Sequence, residues 1–298
     1  MAGCRRRFAG ILRPLAGLML GVLAAMPDAM GQSAASAPQR VVSLNVCSDQ
    51  LLLQLAPRDA IASLSFLVAD PAVSAMADAA AGVSLNHGLA EEILPLQPDL
   101  VFAGAYGARP AVALLENNGV RVERMGLALS LDDVMSHIEQ VAAALRRPAA
   151  GQALARQVQE RIAAAGRGAA PRQDRPRAIT YHANGLTAGS GTLTHDIIEA
   201  AGFVNLAAEL GVDGLRPLSI EALVDAAPDL IILGAAREGP PSLATALLRH
   251  PALVGLLQRA RTLVIAESAL ACGPPGVTAA LDQLGAVRRQ MTARGSGS

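Results

Sequence analysis

The chain has 298 residues, 52% of them hydrophobic and 2% aromatic, and its 25 positive and 25 negative side chains cancel to a formal charge of zero. Every positive residue is an arginine, because the sequence contains no lysine; a phosphate-cradling P-loop lysine, a Schiff-base lysine and a kinase strand lysine are all excluded. No basic stripe interleaved with aromatics marks a nucleic-acid surface, so nucleic acid is not an expected partner.

At the amino terminus Arg5, Arg6 and Arg7 precede an apolar run at 15–26 that is too short to span a membrane, and Ala29 and Gly31 offer small residues for cleavage. Residues 1–31 therefore read as a signal peptide. Arg5-Arg6-Arg7-Phe8 matches only part of a twin-arginine signal, which leaves the export route open. Cys4 lies ahead of the apolar run and is not placed as a lipid-anchored cysteine. The mature chain would keep 21 positive and 24 negative side chains, a net charge of −3.

From residue 38 strands and helices alternate. Residues 40–44 are a β-branched strand, Ser48 can cap a helix running through Leu55, and strands are expected at 60–63, 100–103 and 120–123. The Ala-rich segment 66–88 shows no readable period. Residues 131–165 are helical throughout except at Pro148, which fits the first turn of a second helix better than a helix interior. That helix would be roughly 27 Å long at 1.5 Å per residue, enough to cross between two lobes. After a breaker-rich linker at 166–176 the alternation resumes, with strands at 177–181, 230–233 and 262–265, helices at 193–201 and 220–226, and a final helix at 275–291. This order means parallel sheets covered by helices.

An internal duplication divides the chain. The stretch from Glu91 to Gly104 (EEILPLQPDLVFAG) returns 130 positions later from Glu221 to Gly234 (EALVDAAPDLIILG), with Glu, Pro-Asp-Leu and Gly in the same register. The expected plan is an N-terminal lobe at 38–147, an inter-lobe helix and start of linker at 148–170, a C-terminal lobe at 171–292 and a disordered tail at 293–298.

The ordered set of a β-branched Arg40-Val41-Val42-Ser43-Leu44 opening followed by Asp49, the repeated E-x6-PDL-x3-G, the long middle helix and the export signal resembles the class III periplasmic substrate-binding proteins of ABC importers. The likeness covers residues 38–292. It implies two Rossmann-like α/β lobes with parallel sheets, joined by a single long helix and holding a metal chelate in the cleft between them. The protein would be a periplasmic monomer without catalytic residues, resident cofactor or metal site. It would deliver a cobalamin-type chelate or ferric siderophore to an ABC permease dimer in the inner membrane. Haem is the alternative cargo, with Tyr106, Tyr181, His87 and His182 as axial candidates. In the family this chain resembles, acidic residues at the positions of Glu91 and Glu221 dock onto arginines of the two permease subunits. The competing role for both is helix-dipole stabilisation, the only role open to Glu92, which is replaced by Ala222 in the second copy.

Ligands of open parallel sheets gather beyond the carboxyl ends of the strands. That rule selects Tyr106 and Tyr181, one per lobe, with ring faces suited to a planar macrocycle. It also selects Asn45, Cys47, Arg109, Asn184 and Cys272 on strand-to-helix loops, and Asn86 and His87 before the repeated helix. Arg109 and Arg237 could meet carboxylate or phosphate groups of a chelate, or be solvated loop charges. Cys47 and Cys272 could pair across the lobes in an oxidising compartment, but two separate thiols are the favoured expectation, with Cys272 at the cleft rim.

Enzymatic alternatives find less support. The glycine-rich 185–192 lacks a nucleotide signature and misses a nucleophile elbow, since Ala188 stands where glycine is required. His195 and Glu199 stand four apart on a helix and read as a surface pair rather than metal ligands. His137 and His250 read as structural. An exported α/β hydrolase with His87 or His182 as general base would need a nucleophile or carboxylate that no motif places beside either.

Overall fold

The computed structural model describes residues 36–234 and 250–295. The expected signal peptide and Arg237 lie outside the described residues. Strand β1 (Val41–Ser43), helix α1 (Val46–Leu55), strands β2 (Ile61–Ser65) and β3 (Leu85–Asn86), helix α2 (Ala90–Ile93), strand β4 (Leu100–Gly104), helix α3 (Arg109–Asn117) and strand β5 (Val122–Met125) build the first lobe. Its sheet is parallel throughout in the order β3-β2-β1-β4-β5. The chain order reverses between β1 and β4, which is where such sheets open a crevice.

Helices α4 (Leu131–Ala144) and α5 (Pro148–Gly166) follow. Strands β6 (Arg177–Tyr181) and β7 (Leu186–Ala188), helix α6 (Leu193–Ala200), strand β8 (Val204–Asn205), helix α7 (Leu206–Glu209), strand β9 (Leu215–Pro217), helix α8 (Ile220–Ala226) and strand β10 (Leu230–Gly234) come next. Helix α9 (Pro251–Leu257), strand β11 (Arg261–Ile265) and helices α10 (Ser268–Ala271) and α11 (Pro274–Gly295) complete the second lobe. Its parallel sheet has the order β11-β10-β6-β8, again reversing beside its first strand, and β7 pairs antiparallel with β9. The α/β architecture of two parallel-sheet lobes is thus present.

Several local expectations shift. Asn45, not Ser48, caps α1: its extended backbone lets Oδ1 accept from the N–H groups of Cys47 (2.9 Å) and Ser48 (3.4 Å), while the Ser48 hydroxyl turns to Ser43 at 2.8 Å. Strand β5 begins at Val122, because the Val120 N–H donates to Leu115 O and closes the end of α3. Segment 66–88 resolves into two 3-10 turns, Phe66–Ala69 and Asp78–Ala80, and the short β3. The last helix continues to Gly295, so residues 293–295 are helical rather than tail.

The duplicated Pro-Asp is a clamp on the opening strand of each lobe. Asp99 accepts from the N–H groups of Gln39 (2.7 Å) and Arg40 (3.1 Å), and Asp229 accepts from Arg177 N–H at 2.7 Å. The residue before each proline is left-handed, Gln97 at φ 47° and Ala227 at φ 45°. Each of their carbonyls receives a guanidinium, from Arg40 (2.7 Å) and Arg177 (2.9 Å) respectively.

A helical seam unites the lobes. One buried apolar cluster runs from Leu51, Leu55 and Phe102 through Ile138, Val158 and Ile197 to Ile265 and Leu281. Helices α4 and α5 approach so closely that a Cβ on Gly151 would lie 2.4 Å from Ala142 Cβ. Arg288 of α11 is 1% exposed and donates to Ala165 O (3.1 Å), Arg167 O (2.7 Å) and Gly168 O (3.1 Å) at the end of α5, and to Ala201 O (2.8 Å) at the end of α6.

The expectation of separate thiols is overturned. Cys47 and Cys272 form a disulfide with Cα atoms 5.4 Å apart, and Cys272 is 2% exposed rather than at a rim. Packing of α1 against α11 brings the first turn of α1 and the residue after α10 together across 225 residues of sequence. We expect thiol labelling under denaturing, non-reducing conditions to modify neither residue and labelling after reduction to modify both. Cys47→Ser with Cys272→Ser should lower unfolding free energy by about 2–5 kcal/mol in urea titrations.

Candidate functional site

The carboxyl ends of β1, β2 and β3 and the start of α3 surround a cavity of about 530 Å³. Its wall is mostly apolar, with Leu44, Phe66, Leu67, Leu89, Ala108 and Leu114 facing the space, and His87 and Glu91 at its polar edge. Phe66, Leu67, Leu89 and Leu114 are all exposed. Large apolar side chains left open in a concave wall mark a place where something apolar binds. The Phe66 and His87 rings stack at the mouth with centroids 5.0 Å apart and planes at 27°.

The strand ends behind this wall are fixed by polar side chains. Asn86 is 1% exposed; its amide donates to Ser43 O (3.0 Å), Ser63 Oγ (2.9 Å) and Leu64 O (2.9 Å), tying β1, β2 and β3 together. Asn86 is therefore a brace behind the site rather than a ligand contact, because every polar atom is engaged: Oδ1 accepts from Gly88 N–H at 3.0 Å. Asn45 spends its carbonyl on the α1 cap, and its Nδ2 would lie 2.8 Å from a Cβ on Gly104. Only glycine at the end of β4 leaves room for it.

Behind the cavity, fully buried Asp49 accepts from Ser65 N–H (3.2 Å) and Ser65 Oγ (2.7 Å). The floor between the lobes is polar and linked. Gln50 Nε2 lies 3.7 Å from Cys272 Sγ, its Oε1 accepts from Ala75 N–H at 3.3 Å, and Ser268 Oγ lies 3.5 Å from Pro71 O.

In the second lobe Tyr181 does not line a cleft. It is fully buried in the cluster of Ile179, Leu223 and Ile231, and its hydroxyl donates to Leu218 O at 3.3 Å. The strand alternation that points Thr180 to one face of the sheet points Tyr181 into the other. The next residue, His182, takes the position at the strand end; its Nδ1 stands 3.9 Å from Glu267 Oε1, and burial holds its pKa below the usual imidazole range. Asn184 is exposed at φ 59° in the following turn, Arg109 is exposed at the start of α3, and Tyr106 is exposed beyond β4. The structure thus gathers His87 and Glu91 at the apolar cavity, leaves Tyr106, Arg109 and Asn184 at the surface, and puts Cys47 and Cys272 in the floor. The apolar wall is not legible in the sequence because it is assembled from separate stretches, around Leu44, Leu89, Ala108 and Leu114, with Phe66 and Leu67 from the aperiodic segment; the Phe66-Leu67 pair directly after β2 is its one signal.

Glu199 is occupied by ion pairing to Arg172 and accepts from Asn205 N–H at 3.1 Å, while His195 Nδ1 lies 3.2 Å from Asn205 Nδ2. That helix pair is structural. Among the described residues no group of three or more His, Cys, Asp or Glu side chains could hold a metal ion.

Two parallel-sheet lobes on a rigid seam, with an apolar hollow at the strand ends, define a solute-binding protein. The family model described as periplasmic binding protein matches residues 41–256, and the chain belongs to that family. It is 30% identical over 222 residues to a cobalamin-binding protein of Halobacterium salinarum, covering 74% of this chain and 60% of that protein. Among solved structures, the periplasmic heme-binding protein RhuT from Roseiflexus sp. RS-1 is 26% identical with a TM-score of 0.68, covering 85% of this chain and 98% of that one. A periplasmic heme-binding protein from Pseudomonas aeruginosa is 25% identical with a TM-score of 0.64, covering 84% and 92%. The family and these relatives are solute-binding proteins, not enzymes, which removes the hydrolase alternative.

The Asp49 carboxyl generates a pH dependence. Burial raises its pKa to about 7, outweighing the serine hydrogen bonds that act the other way. The unfolded chain releases this proton near the ordinary carboxylate value of about 4. Between roughly pH 4 and 7 the folded state therefore binds more protons than the unfolded one, and this contribution to stability falls as pH rises, levelling off above 7. Asp49→Asn keeps an acceptor for Ser65 N–H and should flatten that fall by at most about 4 kcal/mol. Urea unfolding of both proteins across this range measures the difference; parallel curves would contradict the assignment.

Proposed function

We propose that the chain is the exported substrate-binding component of an ABC importer, and that it captures a metal chelate, foremost a cobalamin-type corrinoid, for delivery to a permease dimer in the inner membrane. The observation that carries the ligand class is the apolar cavity of about 530 Å³ with the Phe66–His87 stack at its mouth. A flat macrocycle with apolar edges gains from such burial and from ring contact. The charged cavity-lining group is the carboxylate Glu91, with Arg109 nearby at the start of α3 but outside the wall. This favours a nearly neutral corrinoid over a polyanionic ferric siderophore. The cobalamin-binding relative supports the same choice, although the chain spans only 60% of that protein's length.

Haem is the second reading, favoured by exposed Lewis bases near the cavity and strand ends. His87 and Tyr106 stand in the first lobe and partly buried His182 in the second, while buried Tyr181 drops out of the axial set. The mature chain would be titrated with cyanocobalamin, with haemin and with a ferric catecholate complex. Saturable binding of cyanocobalamin is expected, weakened by about 1–3 kcal/mol in Phe66→Ala. A haemin complex with a shifted Soret band and no corrinoid binding would transfer the assignment to haem, and no binding of any of the three would end the chelate reading.

Docking is assigned to Glu91 and Glu221, exposed in the first turns of α2 and α8. Their matched positions in the two copies of the repeat suit a partner built from two similar subunits, and exposed carboxylates suit reversible, salt-sensitive contact with arginines. Ser219 caps α8 through Ala222 N–H independently of Glu221. Glu91→Arg with Glu221→Arg should abolish uptake in cells that depend on this protein, and Glu221→Arg alone, at a residue outside the cavity wall, should impair uptake while leaving ligand affinity unchanged. Normal uptake by the double variant would reduce both residues to helix-dipole partners.

A further inference from the structure

Glu92 has no acidic counterpart in the second repeat, where Ala222 stands, so symmetric docking does not account for it. Its carboxylate turns back over the loop before α2. Oε2 accepts from the His87 backbone N–H at 2.6 Å, and Oε1 lies 3.0 Å from His87 Nδ1. These bonds hold the Glu92 carboxyl below the usual carboxylate range. The same imidazole that Glu92 grips is the one stacked on Phe66, and both rings line the apolar cavity.

The backbone on either side of His87 has other restraints. Asn86 is anchored through its three donations, and Gly88, at φ 77°, donates to Asn86 Oδ1. The distinct contribution of Glu92 is therefore the ring. An imidazole on an exposed loop visits several rotamers. Ordering it only when a ligand arrives opposes binding, whereas a ring ordered beforehand does not. Phe66 alone could not supply that order, because its own ring is exposed.

Resting on the reading that this cavity takes a macrocyclic chelate, we propose that Glu92 is a positioning residue that fixes the His87 imidazole against Phe66, forming a preorganised aromatic lip on which the flat face of the chelate lies. Glu92 touches no ligand itself. It sits beside the docking residue Glu91 on the four-residue helix α2, so the residue that holds the lip and the docking residue share one short element.

Two measurements on the mature chain separate the proposal from the reading beneath it. In the ligand-free protein, the His87 ring proton resonances, assigned by their loss in His87→Ala, feel the ring current of Phe66 and move in Phe66→Leu. Glu92→Ala should move them most of the way to the same position; resonances unmoved from wild type would overturn the proposal. For whichever of cyanocobalamin or haemin binds, Glu92→Ala should weaken the dissociation constant by about fivefold through the lost preorganisation. In a His87→Ala background the same change should have no further effect, since Glu92 acts through that ring. Fully additive losses would show that Glu92 acts through the stability of α2 instead and would also overturn the proposal. If neither probe binds the wild-type chain, the chelate reading fails, and the resonance measurement still decides whether Glu92 orders the ring.

Discussion

The lobes are held at one angle by a dry helical seam, and the placement of one set of strand ends against the other depends on it. Among the described residues no strand of one main sheet pairs with a strand of the other. Their relative position rests instead on α4, α5, α6 and α11, whose buried faces form a single apolar cluster reaching into both lobes. Dense interiors of this kind resist gradual deformation. The end of α5, where its last carbonyls would be left without partners, is gathered by the Arg288 guanidinium together with a carbonyl from the end of α6. A cation there also opposes the negative ends of two helices at once. A lysine would bring charge but not the fork of donors that reaches four carbonyls.

The duplicated motif works at the opposite pole of each lobe from the ligand. Asp99 and Asp229 hold the beginnings of β1 and β6, at the amino ends of the strands, while the cavity lies at the carboxyl ends. The repeat therefore marks construction, and only its leading glutamates are free for another role. This is why a motif so visible in the sequence pointed to the fold more surely than to the ligand. Arg40 and Arg177, which complete the clamps, are not legible from the motif because they lie 57 and 50 residues in sequence from the carbonyls they hold.

Strands were legible where β-branched or leucine-rich runs sit fully buried, as at β4, β6 and β10, and α5 was legible because Pro148 could only begin a helix. The two-residue β3 and β8, and the β7–β9 pair with its exposed β9, carry too little periodicity to be read. Site residues were harder for a geometric reason. Choosing residues at strand ends fixes height above the sheet but not which face a side chain takes, and one step of register separates buried Tyr181 from half-buried His182. Asn86 illustrates a second limit. A polar residue beside a cleft is as apt to satisfy the backbone behind the wall as to face the ligand, and only its three acceptors reveal which. For Cys47 and Cys272 the obstacle was distance, since a separation of 225 residues carries no information about the 5.4 Å between their Cα atoms.

The floor of the cleft shows what such a protein gives up and gains. The disulfide, the Gln50 contact to Cys272 and the approach of Ser268 to Pro71 all cross between the lobes where a hinge would have to bend. Large closure around a ligand is therefore opposed by covalent and packed restraints together. Affinity must then come from surfaces already in place, which is consistent with a wall whose strand ends are braced by Asn86, Asp49 and Asn45 before any ligand is present. A rigid receptor of this kind cannot release its cargo simply by opening. In the proposed importer the push would come from the permease, and the part within its reach is the exposed rim rather than the buried seam. The rim includes the short helix α2, where Glu91 stands exposed at the cavity edge and Glu92 holds the lip.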